Sequence, residues 1–447
     1  MKIVLISTYE LGHQPFGVAS PAAWLQEAGF EVSGLDLSVE TLDPDLITVA
    51  DVVGFYLPMH TATRLATAVI KRVKRINLKA HIVAFGLYAP VNEPFLRDLG
   101  VDSILGGEFE QGLVDLVKGV ETNTAVSLPS ISLERQQFRL PNRALLPELS
   151  NYAWLTVDGE QKIVGYTEAT RGCKHLCRHC PIVPVYNGRF RIVQPEIVLA
   201  DIRQQVEAGA KHITFGDPDF LNGPKHALMI VEQLHHEFPD LTYDIIIKVE
   251  HLLKFKAHLP TLRDTGCLFV TTAVESVDDL ILEKFAKGHT RADFITSMQI
   301  CREIGLTVTP TFVTFTPWTT VRGYVEQLAL LEELNLVDAI SPIQYAIRLL
   351  IPNGSKLLEL PDVADLVGEF DQAGLVYPWV HPDAQVDALY EAVFKLIKAS
   401  QRAEESRQVL FERIWETAVS YLDAPNIIRR KIRKEEVAVP TLSEDWY

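Results

Sequence analysis

The stretch IVGYTEATRGCKHLCRHC, residues 163–180, carries an apolar strand pattern straight into three cysteines, Cys173, Cys177 and Cys180, spaced CxxxCxxC. That spacing can hold three irons of a cubane 4Fe-4S cluster and leave the fourth iron without a protein ligand, whereas clusters that only carry electrons take a fourth cysteine in a different spacing. An iron with an open position is a place for reaction. The competing reading is zinc, because His175 and His179 lie in the same run and structural zinc takes four Cys or His ligands. No second CxxC or HxxxH pair accompanies them. Cys267 and Cys301 stand singly in apolar stretches and read as small core residues. Five cysteines in 447 residues make a disulfide framework improbable.

Downstream of the cysteines, strand and helix patterns alternate. QPEIVLADIRQQVEAGA (194–210) is amphipathic, and HITFGDPDF (212–220) is a strand that ends in an acidic loop. Helices follow at 224–237 and 251–264, with strands near Thr242–Lys248, Cys267–Ala273, Thr307–Val313 and Ala339–Ala346. Six strands alternating with helices predict a partial or full β/α barrel, whose active site lies at the carboxyl ends of its strands. The cysteine loop, Asp217 and Asp219, Lys248 and Glu250, and Glu275 with Ser276 all fall at such ends. Trp318 and Arg348 read as core packing or an ion pair rather than as catalytic groups.

Upstream, residues 121–163 lose periodicity and carry Pro129, Pro141 and Pro147, which marks a linker. Residues 1–120 hold five short apolar runs, KIVLIS, EVSGLDL, DVVGFYL, HIVAFG and DSILGG, with helices between them. This pattern predicts a doubly wound, flavodoxin-like parallel sheet whose ligand lies at the carboxyl ends of the strands. Ser20-Pro21 is taken as the start of the first helix. GxGxxG and P-loop turns are missing, so a dinucleotide or nucleoside triphosphate is disfavoured. Gly17, Gly86, Gly106 and Gly107 would let the backbone approach something broad and flat. Beyond residue 350 the spacing is mostly helical, over 383–400 and 402–422.

A formal charge of -16 argues against nucleic acid as the principal partner, because a phosphate backbone needs neutralising Lys and Arg. No apolar run reaches the length of a membrane span and no targeting segment opens the chain, so the expected location is cytoplasmic. There thiols stay reduced.

Residues 160–350 resemble the radical S-adenosylmethionine (SAM) superfamily, whose cluster loop is CxxxCxxC with an aromatic before the last cysteine. His179 holds that position here. The resemblance implies that Cys173, Cys177 and Cys180 ligate a 4Fe-4S cluster and that His179 stacks on adenine. It further implies that Gly216 and Asp217 stand for the Gly-Gly-Glu contact to the SAM amino group, and that Glu275 and Ser276 contact the SAM ribose or carboxylate. A flavodoxin-like domain before such a barrel is similar to the cobalamin-binding class of that superfamily. The cobalamin motif Asp-x-His-x-x-Gly is absent: His13 stands four residues before Gly17, with Leu11 where the aspartate would lie. The strings PMHTATRL, GLYAP, RHCPIVPVY, GRFR, FGDPDFLNGP, FTPWTT and PIQYAIRLLIPNGS resemble a subgroup with a Cys- or selenocysteine-containing Ala-Glu-Pro tail, which would follow Trp446 and Tyr447 and is absent here.

The expected organisation is therefore a cobalamin-binding-like domain over 1–120, a linker over 121–163, a (β/α)6-type radical SAM barrel over 164–350 and a helical carboxyl-terminal region over 351–447. The resemblance implies SAM cleavage to a 5'-deoxyadenosyl radical, used for methylation of an unactivated carbon. Its implied partners are a small-molecule or peptide substrate and an electron donor such as flavodoxin or ferredoxin. Cobalamin-independent radical modification and a non-catalytic metal module are the alternatives.

Overall fold

The computed structural model describes residues 1–423, 429 and 439–443; the tail position after Trp446 and Tyr447 lies outside the described residues. Strands β1 (Lys2–Ser7), β2 (Glu31–Asp36), β3 (Val52–Tyr56), β4 (His81–Phe85), β5 (Ser103–Gly107) and β6 (Ile131–Ser132) form a wholly parallel sheet in the order β2-β1-β3-β4-β5-β6. Side chains alternate across it with the period of two that a strand imposes. Ile3 and Leu5 pack with Val18, Ala22 and Leu25 on one face, while Val4 and Ile6 pack with Ile47, Ala66 and Ile70 on the other. The order reverses between β1 and β3, so the ligand crevice is expected beyond their carboxyl ends.

The first helix departs from expectation. It spans Phe16–Glu27 and starts four residues before Ser20, with Pro21 inside it. Pro21 lacks the N–H that would bond to Gly17 O, so the helix forgoes one backbone bond in its second turn.

The second sheet has the order β14-β13-β12-β11-β8-β7-β15. Its strands are β7 (Trp154–Val157), β8 (Glu160–Thr167), β11 (His212–Phe215), β12 (Thr242–Ile246), β13 (Cys267–Glu275), β14 (Thr307–Phe312) and β15 (Thr441–Leu442); β9 (Thr170–Gly172) and β10 (Phe190–Ile192) pair separately. From β8 through β14 the pairing is parallel, which makes an open half-barrel. Ile213 and Phe215 join the core beneath the helices, whereas His212 and Thr214 bond to Asp244 at 2.9 and 2.6 Å. The sixth strand, expected over Ala339–Ala346, is a tight helical turn at Pro342–Ala346 followed by a single parallel bridge, Phe315 to Arg348. Pro342 has no N–H to give to a ladder, which favours the turn.

The expected linker is only partly one. Ile131–Ser132 extends the first sheet, and Trp154–Val157 and Glu160–Thr167 form a hairpin that opens the second. Helices Ala384–Ala403 and Arg407–Ser420 pack Leu389, Val393, Leu410 and Ile414 into the barrel core. Arg143, from the joining segment, donates to both oxygens of Asp201 at 2.9 and 2.8 Å and to Gln14 Oε1 at 3.2 Å, so one guanidinium fastens the two sheets together. No helix among the described residues is long and apolar enough to cross a membrane.

Candidate active site

The cysteine loop leaves the carboxyl end of β8 and is closed at its root by the antiparallel pair β9 and β10. Gly172 turns the chain into it at φ +74°. A Cβ there would meet the Tyr186 ring at 2.3 Å and the Arg189 carbonyl at 2.6 Å, so only glycine fits. The loop is then fixed by backbone contacts. Arg178 N donates to Phe285 O at 2.9 Å, and its guanidinium reaches the carbonyls of Glu283 and Lys284 at the end of helix Asp279–Phe285. Asn222 Oδ1 accepts from Lys174 N at 3.3 Å.

Cys177 is buried, and Cys173 and Cys180 are half-buried. Burial, reinforced by Cys177 and Cys173, pushes the Cys180 thiol up to about 12. Thiolates gathered in such a place need a positive metal centre. His175 faces Asp219 and Glu250, and His179 faces Glu275. The donor set therefore fits a multi-iron cluster better than mononuclear zinc.

Glu275 ends β13 at a register shift, with φ +69° in a non-glycine residue. Its Oε1 lies 3.0 Å from His179 Nε2 and 3.3 Å from Lys287 Nζ. Burial works to raise its pKa, but the Lys287 and His179 charges overcome it and hold the carboxyl at about 2. His179 also packs against Phe285, with ring centroids 4.4 Å apart. Asp278 N donates to Ser276 Oγ at 3.1 Å, which forms a turn at this strand end.

Asp217 is the residue expected at the SAM amino group. It is fully buried and accepts from Ala169 N at 2.9 Å and Thr170 Oγ1 at 2.5 Å, which ties it beneath the root of the cysteine loop. Burial raises its pKa to about 7. Gly216 is needed because a Cβ would strike the Tyr166 hydroxyl.

A cavity of about 250 Å³ lies between the two sheets, lined by Glu10, Tyr56, Gly86, Gly107, Tyr166 and Gly216 among others. It sits at the β1/β3 switch and reaches Arg171 and Gly172 at the cysteine root. A second cavity of about 470 Å³ adjoins it across Phe109 and includes Gly106. Gly17 lines neither: a Cβ there would overlap the Tyr56 ring, so this glycine serves packing inside the first domain. Gly86 and Gly107 likewise lie against the chain itself, at Leu57 O and Ser132 O, while forming cavity wall. His13 stacks on Tyr166 at 5.0 Å and is not in that wall.

Arg171 links cavity and loop. Its guanidinium lies 2.7 Å from Glu110, 2.8 Å from Glu168 and 3.7 Å from Glu108, over the rings of Phe16, Phe109 and Phe138. Burial raises Glu108 to about 7 and keeps Glu10 well above the carboxylate range. Glu10 Oε2 is buried in the cavity wall without a hydrogen-bond partner, a group awaiting a ligand. That orphan at the switch point fits a polar-rimmed corrin. The space itself is below the ~300–1,000 Å³ usual for a small-molecule site, so a corrin requires the seam to widen toward the second cavity.

Sequence reasoning missed Arg171, Lys287, Glu10 and Glu108. Arg171 was in plain view before Gly172-Cys173, and Lys287 opens a Lys-Gly-His run between two helices.

Residues 167–322 match the radical SAM superfamily, and residues 2–117 match the B12 binding domain. The hopanoid C-3 methylase of Methylococcus capsulatus is 25% identical over 324 residues, 68% of this chain and 62% of that protein, so this chain spans under two thirds of its relative. The cobalamin-dependent SAM radical enzyme OxsB, solved with aqua-cobalamin and SAM, superposes with a TM-score of 0.67 at 13% identity, over 92% of this chain and 72% of the other. The radical SAM methyltransferase TsrM of Kitasatospora setae, solved with cobalamin and a 4Fe-4S cluster, gives 0.61 at 15% identity, over 75% and 70%. A sheet that matches the B12 binding domain is thus joined through a buried arginine to a half-barrel that matches the radical SAM superfamily and carries CxxxCxxC at its mouth.

Proposed function

We propose that the protein is a cobalamin-dependent radical SAM methyltransferase acting on an unactivated carbon of a small-molecule or peptide substrate. The observation that carries this reading is the shared seam: the three-cysteine loop and the ligand cavity of the first domain meet at Arg171 and Gly172. When bound, the cluster, SAM and cobalamin supply one-electron cleavage of the sulfur–C5' bond, hydrogen-atom abstraction and a transferable methyl group.

The chain's own residues hold and orient. Cys173, Cys177 and Cys180 would ligate three irons. His179 is braced between Glu275 and Phe285, so its ring is fixed beside the last cysteine. Glu275, ionised because Lys287 and His179 face it, offers a fixed negative charge at the mouth. Gly216 lets the chain pass close to Tyr166, and Glu10 presents to the cavity a carboxyl whose pKa burial raises well above its ordinary value. The reading implies a cytoplasmic setting with a flavodoxin- or ferredoxin-type electron donor.

The test is anaerobic purification, reconstitution and assay with methyl-labelled SAM. About four irons per chain, corrinoid absorbance and reductant-dependent 5'-deoxyadenosine are expected, all but the corrinoid lost in Cys177→Ala. Iron-free protein holding stoichiometric zinc would overturn the reading; SAM cleavage without corrinoid affinity would replace it with cobalamin-independent radical chemistry.

A further inference from the structure

The barrel mouth holds a second group of metal-competent side chains that the cysteine motif does not use. His175, between Cys173 and Cys177, meets Asp219 from the loop after β11 and His251 from helix Val249–Lys254 after β12. One ligand atom from each lies within 4.8 Å of the others. His251 Nδ1 is 2.6 Å, and His175 Nε2 3.4 Å, from Asp219 Oδ2. Asp219 is 1% exposed and His251 0%.

Asp219 Oδ2 pairs with both imidazoles, while His251 Nε2 and Asp219 Oδ1 are buried without any partner. Buried polar atoms in that state are rare. Two imidazoles converging on a carboxylate are a donor set for zinc and for other first-row divalent ions. Ligands about 2.0 Å from a tetrahedral metal stand roughly 3.3 Å apart, so the His175–Asp219 spacing fits as it is and the His251–Asp219 pair opens by roughly 0.7 Å. Behind His175, Nδ1 lies 3.6 Å from Glu250 Oε2, which Lys248 Nζ approaches at 3.3 Å. A carboxylate at the far nitrogen is the usual support of a metal-bound histidine.

We propose that His175, Asp219 and His251 bind one divalent first-row cation, zinc or ferrous iron, at a site distinct from the three cysteines. Such an ion ties the segment between Cys173 and Cys177 to two strand ends at once. Three protein ligands leave a fourth position for water or substrate. The site stands on its own geometry and does not depend on the function proposed above.

The test uses the full chain with Cys173, Cys177 and Cys180 replaced by alanine, stripped by chelator and titrated with Co²⁺. One equivalent is expected, with ligand-field bands, no thiolate charge transfer and a raised Tm. His251→Ala and Asp219→Asn should each weaken binding by roughly 100-fold. A folded triple variant that takes up no cobalt, or a cobalt site that survives both substitutions, overturns the proposal. Should the triple variant not fold, elemental analysis of the anaerobically purified chain with its cysteines intact decides instead: one metal beyond the cluster irons in the parent and none in His251→Ala support it, equal contents overturn it. Iron content and SAM cleavage, measured separately, report on the cysteine site alone.

Discussion

Glu275 and Glu108 are both buried acids, yet their neighbours drive them apart. Glu275 faces Lys287 and His179 and sits at about 2, whereas burial lifts Glu108 to about 7 because Arg171, shared with Glu110 and Glu168, offsets only part of it. Lys287→Met leaves Glu275 buried without its lysine, an expected loss of about 3–5 kcal/mol at pH 7 by urea denaturation. That loss should shrink once the pH falls below the ordinary carboxylate range, since Glu275 can then protonate; a pH-independent loss would disprove the pairing. For Glu108 the sign is opposite. Between its unfolded value near 4.5 and its folded value near 7, the native state keeps a proton the unfolded chain has lost, so stability falls as pH rises. The contribution reaches about 3 kcal/mol. Glu108→Gln should remove that share of the slope of denaturation midpoint against pH, leaving the shares of the other buried acids held above their ordinary range, Glu10, Asp36, Glu168 and Asp217; an unaltered slope would count against a protonated Glu108. Neither partnership was legible in the sequence, because Lys287 lies 12 residues from Glu275 and Arg171 lies 63 from Glu108, with only the fold bringing each pair together.

At the scale of elements, the root of the cysteine loop depends on Gly172. Gly172→Ala forces a side chain into the left-handed region and against the Tyr186 ring and the Arg189 carbonyl, an expected cost of about 2–4 kcal/mol in thermal unfolding together with lowered iron uptake on reconstitution. A variant with parental Tm would remove Gly172 from this role. The five strands of the first domain and most of the barrel strands were readable because short, continuous apolar runs bounded by polar and turn-forming residues read as buried parallel strands. The misses have physical reasons. β6 and β15 are two residues long, too short to show a period. The β7–β8 hairpin was announced by Asp158-Gly159, both at positive φ, a turn signal inside the stretch read as a linker. The sixth strand failed because Pro342 breaks an otherwise apolar run.

In the whole molecule, the two sheets share a seam whose polar fastening is buried. Arg143 is 7% and Asp201 0% exposed, so Arg143→Met strands the carboxylate, with an expected loss of about 3–5 kcal/mol in denaturant unfolding. A change below about 1 kcal/mol would mean that apolar packing alone holds the domains. The domain plan and the metal motif could be read from spacing. The seam could not, since its groups come from three distant stretches: Gln14 precedes Arg143 by 129 residues, and Asp201 follows it by 58. That separation sets an order in time. The guanidinium cannot be satisfied until the turn after β1, the joining segment and the first barrel helix all exist, so its contacts close on the native side of the folding barrier. Arg143→Met should then leave the refolding rate nearly untouched and appear almost wholly as faster unfolding, the kinetic mark of a bond made last.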